Sequence, residues 1–273
     1  MGRTILIDAD ILAYQISTSQ EEVFEFGGRH VLHADLEAGC REVDNAVSWI
    51  IQNTDSDQAV LFVTGDTVDN FRLGVLPSYK GNRKGIRRPM ILQGLKDYMK
   101  EAYKCFHEKI LEADDLIGIH ATMPHKGERV VYSADKDLKT IPGLHWDGDD
   151  GEVIEVTEAQ ADRFFYEQIL TGDPVDNYTG CPGVGPAGAA ELLDNNLMWH
   201  REVGAYKSGP RKGQEKITWK KVESGSPWMS IVSAYHKVGL REKDALQQAR
   251  CARILRHGDY DFKQGKVNLW TPN

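Results

Sequence analysis

Residues Thr4–Asp10 read TILIDAD. The run is apolar and β-branched and stops on an acid at Asp8, which predicts a short strand buried on both faces with a carboxylate at its end. The pattern recurs along the first half of the chain. AVLFV (59–63) predicts a second strand with Asp66 just beyond it, and RVVYSA (129–134) predicts a further strand followed by Asp135. Helical stretches separate them. Leu36, Val43, Val47 and Ile50 share one face of 35–53, residues 89–104 read as a helix before a short run at Tyr103–Phe106, and EADDLIGIHATM (112–123) opens acidic and continues apolar, as a helix N-terminus does. LHWDGDDGEVIEV (144–156) reads as a hairpin. Strand–helix alternation of this kind implies a doubly wound parallel α/β sheet.

From about residue 157 the strand signal stops. Helices are expected at 158–171, 186–194, 228–239 and 242–257, while 200–227, rich in Gly, Lys, Ser and Pro, reads as a loop or mobile insertion. The domain expectation is therefore an α/β region at 1–157 and a helical region at 158–273. Hydrophobic residues make up 41% of the 273-residue chain, enough for a real core, and no stretch approaches the roughly 18 apolar residues of a membrane span. The first apolar run is cut by Asp8 and Asp10, too early for a signal peptide. A soluble intracellular protein without a membrane partner is expected. Cys40, Cys105, Cys181 and Cys251 are scattered, without zinc spacing, and read as structural thiols.

In a parallel sheet the carboxyl ends of the strands share one edge, where ligands bind. Asp8, Asp66 and Asp135 fall there, with Asp137 two residues on. Glu112, Asp114 and Asp115 open a helix in the same connectivity, and GDPVDN adds Asp173 and Asp176. Each acid alone also suits a cap or turn. Nine together need counter-charge if buried, and oxygen-only donors favour Mg²⁺ or Mn²⁺ over zinc or copper. Two such ions would serve phosphodiester displacement. Asp10 is left outside the set.

Net charge is −8, yet KGNRKGIRR (80–88) carries Lys80, Arg83, Lys84, Arg87 and Arg88 without an acid. With Arg72 and Tyr79 it suits phosphate neutralisation and stacking on an unpaired base. Solvated surface charge is the ordinary alternative. For the second basic tract, KSGPRKGQEKITWKK (207–221), DNA contact and plain surface charge stand equal, with Trp219 a stacking group or a packing anchor. GCPGVGPAGAAELL (180–193) places Gly183 and Gly185 in a tight turn before Pro186 opens a helix, so 158–195 reads as a helix–hairpin–helix with a sequence-independent phosphate or cation site.

IDAD, SYKGNR, EADD, SADKDL, GDPVDN and PGVGPAGAAELL occur in the order found in the 5′ nuclease/flap endonuclease superfamily, and the chain resembles that group over roughly 4–195. Its length and tail look most like a phage-encoded 5′–3′ exonuclease. The resemblance implies a PIN-like fold, an arch over 70–105, and metal binding by Asp8, Asp66, Glu112, Asp114, Asp115, Asp135, Asp137, Asp173 and Asp176. It implies contact of Lys80 and Arg83 with the scissile phosphate, and K⁺ and duplex binding at Gly183 and Gly185. The implied substrates are DNA with a free 5′ end, flaps or nicked duplex, and RNA–DNA hybrids, handled by a monomer. Asp66 stands one residue closer to Phe71–Arg72 than the family's acid does. The rival reading is a haloacid-dehalogenase-type phosphatase, because IDAD resembles its nucleophile motif and GDPVD its late metal motif. That reading requires a strand before Gly172–Asp173. A third, a catalytically silent DNA-binding protein, leaves the full acid set unexplained.

Overall fold

The computed structural model describes residues 2–65, 68–148 and 151–272. In chain order the elements are β1 (Arg3–Asp8), α1 (Ala9–Ser19), β2 (Glu22–Phe26), β3 (Arg29–His33), α2 (Leu36–Asn53), β4 (Gln58–Phe62) and the single turn α3 (Arg72–Val75). There follow α4 (Leu92–Ala102), β5 (Cys105–Phe106), α5 (Ala113–Thr122), β6 (Glu128–Tyr132), β7 (Gly143–Trp146) and β8 (Ile154–Val156). The last part holds α6 (Glu158–Thr171), α7 (Pro186–Asp194), β9 (Leu197–Ala205), β10 (Glu215–Glu223), α8 (Pro227–Lys237), α9 (Glu242–Ala252), β11 (Tyr260–Asp261) and β12 (Lys266–Val267). The chain forms two compact units. One comprises Met1–Leu73, Arg83–Ala161 and Ile254–Asn268, and the other Gly74–Asn82, Asp162–Arg253 and Leu269–Asn273.

The first unit is built on a sheet of strand order β5-β4-β1-β6-β7-β8. Its pairings are parallel except β7–β8, which forms the expected antiparallel hairpin. Alternation along each strand sends side chains to opposite faces. Ile5, Ile7, Leu61, Val63 and Val130 pack with α1, α2 and α4, whereas Leu6, Val60, Phe62 and Val131 pack with α5 and with Ile254 and Leu255. Ile5 and Ile7 are fully buried, and each contributes about 1.5–3 kcal/mol through lost apolar hydration. Apolar runs read as strands because both faces are covered. Register Ile7↔Tyr132 and Asp8↔Phe62 then brings the last residues of β1, β4 and β6 to one edge.

The second unit carries α6 to α9 and one long antiparallel hairpin, β9–β10, paired from Leu197↔Glu223 to Ala205↔Glu215. This corrects the expectation of a loop or mobile insertion at 200–227. Most of the strand residues are exposed, so no buried face marks them, and the Gly-, Pro- and Lys-containing turn at 207–213 dominates the composition. The β2–β3 hairpin escaped notice for the same reason, since all but one of its ten strand residues are exposed. Helix α6 ends at Thr171, immediately before Gly172–Asp173. The phosphatase reading needs a strand there, so the helix removes its basis. No helix of the described residues is long and apolar enough to cross a membrane.

Candidate active site

Asp8 ends the central strand and is 2% exposed. One oxygen caps α1, accepting from Asp10 N at 3.0 Å and Ile11 N at 3.2 Å. The other accepts from Ser133 Oγ at 3.1 Å. Ser133 Oγ in turn accepts from Asp135 N at 3.0 Å, and Asp135 Oδ1 accepts from Asp137 N at 2.8 Å. A hydrogen-bonded run thus links Asp8 to Asp135 and Asp137 along the edge where β1 and β6 end. Burial, followed by the nearby charge of Asp10 and, more weakly, of Asp135, pushes the Asp8 carboxyl up to about 7, against the donors Ile11 N and Ser133. Such a carboxylate lacks a sufficient counter-charge.

Thr64, two residues past β4, ties the next part of the edge together. Its N–H donates to Asp10 Oδ2 at 3.2 Å, and its Oγ1 accepts from Ala113 N at 3.0 Å at the start of α5. Gly65 makes this approach possible. A Cβ there would lie 1.9 Å from Glu108 O, so only glycine lets the backbone after β4 pass this close to the segment leading into α5. Asp10 is ion-paired with Lys96 of α4 at 2.7 Å. Asp10 therefore belongs to the edge as a partner of Thr64 and Lys96. Sequence alone offered no signal for Lys96, an isolated cation on a surface helix, whereas Ser133 stands inside the SADKD motif and was passed over.

Glu112 and Asp115 sit together at the start of α5, as their spacing predicts. Arg72 closes on both: Nη1 and Nη2 each reach one Asp115 oxygen at 2.7 Å, and Nη1 is 3.2 Å from Glu112 Oε2. Asp115 also accepts from Glu112 N at 3.1 Å and Leu255 N at 3.2 Å. Arg72 is 2% exposed. The expectation that it contacts DNA is thus corrected: a buried guanidinium closed on two carboxylates offers no surface to a phosphate. Asp114, next to them, is half-buried. Asp66 lies outside the described residues.

Among the described residues no three His, Cys, Asp or Glu side chains form a ready-made metal cage. The donor chemistry nevertheless fits a hard cation. Asp8 is buried and short of positive charge beside Asp135, and the acids offer oxygen alone. At Glu112 and Asp115 the positive charge is supplied by Arg72, which a cation would have to share or displace.

In the second unit GDPVDN folds as a closed loop. Asp173 and Tyr178 bridge through both backbone bonds, and Asp173 Oδ1 accepts from Val175 N at 2.8 Å. Asp176 accepts from Tyr79 Oη at 2.7 Å and lies 3.5 Å from Lys80 Nζ. Tyr79 is 4% exposed, so it is not an open stacking platform; its burial corrects that expectation and makes it the anchor of Asp176. The turn before α7 has Gly183 at φ 79°, a left-handed conformation, and Gly185 as N-cap, and a Cβ at either glycine would meet nothing. That open N-terminus is compatible with an anion or a backbone contact. Arg83, Lys84, Arg87 and Arg88 are exposed in the first unit, with Arg87 paired to Glu21.

The chain thus combines a mostly parallel α/β sheet with acids along one edge and, in the second unit, a glycine turn that opens a helix. Residues 3–147 match the family described as 5′–3′ exonuclease, N-terminal resolvase-like domain. The chain is 36% identical over 208 residues to the exonuclease of Escherichia phage T7, covering 72% of this chain and 68% of that one. The phage T5 D15 protein co-crystallised with metal ions superposes with a TM-score of 0.56 at 15% identity over 71% of this chain and 75% of that one. The T5 D15 flap endonuclease in a pseudo-enzyme–product complex with DNA and metal ions gives 0.52 at 16% over the same shares. At such identities the likeness establishes a common fold. The chain belongs to the 5′–3′ exonuclease family.

Proposed function

We propose that the protein is a divalent-metal-dependent 5′–3′ exonuclease and flap endonuclease that hydrolyses DNA near free 5′ ends, flaps and nicks, and RNA in RNA–DNA hybrids. It acts as a monomer inside the cell. The observation that carries the metal reading is Asp8, buried at the end of the central strand against Asp10 and Asp135 with its carboxyl pushed up to about 7.

Two Mg²⁺ or Mn²⁺ ions, when bound, supply Lewis-acid stabilisation of the charge that develops on the scissile phosphate. The candidate holders are Asp8, Asp66, Glu112, Asp114, Asp115, Asp135 and Asp137, with Asp173 and Asp176 as the further acids that the family resemblance assigns. Ser133 aligns Asp8 with Asp135, and Thr64 holds the start of α5 at the same edge. Lys80 and Arg83 are the proposed phosphate-contacting cations. Lys80 rests beside Asp176, which orients its ammonium. Lys84, Arg87 and Arg88 add exposed positive charge for the DNA backbone, and the turn at Gly183 and Gly185 offers backbone N–H groups to duplex DNA and backbone carbonyls to K⁺.

The test uses 5′-labelled flap, nicked-duplex and RNA–DNA substrates with Mg²⁺, with Mn²⁺, and with chelator. Short 5′-derived products that vanish with chelator are expected. Cleavage that persists in chelator excludes the metal mechanism, and an intact hybrid removes RNA from the substrate range.

A further inference from the structure

The β9–β10 hairpin lies outside the machinery described so far. Between His200 and Lys221 it carries seven cations, Arg201, Lys207, Arg211, Lys212, Lys216, Lys220 and Lys221, against two acids, Glu202 and Glu215, a local net charge of +5 in a chain of −8. These charges are not equivalent. On the shaft, Arg201 pairs with Glu215, Lys220 with Glu202 and Lys221 with Glu191. At the tip end Glu215 is taken up by Arg201, and among the described residues no carboxylate pairs with Lys207, Arg211, Lys212 or Lys216. Lys207, Arg211, Lys212 and Lys216 are all exposed, and the geometry gathers rather than disperses them. Arg211 Cζ lies 4.4 Å and Lys216 Nζ 5.8 Å from the centre of the Tyr206 ring, so both cations are held over one aromatic platform. Beside it a cleft of about 420 Å³ is lined by Lys207, Ser208, Lys216 and Thr218. Ammonium groups next to two hydroxyl donors are what a phosphodiester oxygen requires.

Holding four like charges in a turn is unfavourable without a counter-ion, while the neutralised shaft shows that acids were available to the same strands. Nine-residue strands carry the tip roughly 30 Å from the hairpin base at about 3.3 Å per residue. We propose that the hairpin tip is a sequence-independent binding site for the phosphate backbone of nucleic acid, centred on Tyr206, Lys207, Arg211, Lys212 and Lys216. The site rests on the reading of the protein as a nuclease acting on DNA, and it adds a contact made by residues outside the carboxylate edge. Because its ligand is the backbone, it takes single strands and duplex alike.

The experiment measures binding of the full chain to a fluorescent 30-nucleotide single strand and its duplex in chelator, from 50 to 300 mM salt. The variant replaces Lys207, Arg211, Lys212 and Lys216 with Ala. The expected result is at least a tenfold weaker affinity at 100 mM salt and a log–log salt slope shallower by about three, because each lost phosphate contact removes roughly 0.9. Far-ultraviolet circular dichroism should match wild type, since the changed side chains are exposed. If the quadruple variant misfolds, Arg211→Ala/Lys216→Ala should lower the slope by about two. Affinity within twofold of wild type with an unchanged slope, on both strands in a folded variant, overturns the proposal. Metal-dependent cleavage by wild type is scored separately. Its absence would sink the nuclease reading while the binding measured in chelator still reports on the hairpin.

Discussion

The guanidinium of Arg72 closes on both oxygens of Asp115 at 2.7 Å, in a pocket where their side chains are 2% and 0% exposed. A fork of this kind matches the carboxylate plane and fixes it. Since Glu112 shares the same guanidinium, one arginine sets the position of two acids proposed to face the metal. Removing it leaves two buried negative charges. Arg72→Met should cost about 3–5 kcal/mol in urea unfolding in chelator, and added Mg²⁺ should restore more stability to the variant than it adds to wild type. Unchanged stability in chelator would show that the pair is not what holds the start of α5.

Asp8 and His120 should pull stability in opposite directions as pH falls. The Asp8 carboxyl is raised from 3.8 to about 7, so below 7 the folded state takes a proton that the unfolded chain does not, and stability rises as pH falls from 7 towards 4. His120, packed at 5.0 Å from Phe62 and 4.6 Å from Phe106, is depressed by burial, with Arg129 and Lys104 adding to it, from 6.5 to about 4. Its contribution is complete above 6.5 and is lost as pH falls through 4. Melting curves in chelator between pH 4 and 8 should show Asp8→Asn losing ground relative to wild type on acidification and His120→Phe gaining it. Parallel curves for all three proteins would refute both shifts.

Gly65 should tolerate no side chain. Its Cβ would strike Glu108 O, so Gly65→Ala must push the segment before α5 away from the end of β4. A loss of about 1–3 kcal/mol is expected, together with faster exchange of the Ala113 amide, whose acceptor is Thr64 Oγ1. Wild-type protection at Ala113 would contradict this.

Tyr79→Phe isolates the anchor of Asp176. Removing a hydroxyl that donates to a carboxylate should cost roughly 1.5–3 kcal/mol, read as a lower urea midpoint. The Lys80→Met variant, by contrast, should unfold close to wild type because its pair with Asp176 is long and partly exposed, while its turnover on a 5′ flap falls at least tenfold. Equal turnover would remove Lys80 from the phosphate-contacting set.

The sheet and its acidic edge were legible because strands such as Thr4–Asp8, buried on both faces, must be continuously apolar, and the acid that ends each run stands out. The helix starting at Glu112 was legible from its acidic first turn. The hairpins at 22–33 and 197–223 were not, since strands that are largely exposed have no apolar period. Arg72 was misread because it adjoins a basic tract, and its burial depends on Asp115, 43 residues away. Tyr79 failed likewise, since its partner Asp176 is 97 residues distant. Pairings across such separations leave no local pattern.

The central claim, that carboxylates at the end of the parallel strands carry a metal needed for 5′ cleavage, is tested most directly by Asp135→Ala. A 5′-labelled flap would be incubated with Mg²⁺, and Mg²⁺ binding would be followed by calorimetry on the same preparations. Wild type should cleave and bind, and the variant should be folded, with cleavage reduced at least a hundredfold and weakened metal binding. A folded variant that binds Mg²⁺ and cleaves as wild type does would contradict the account.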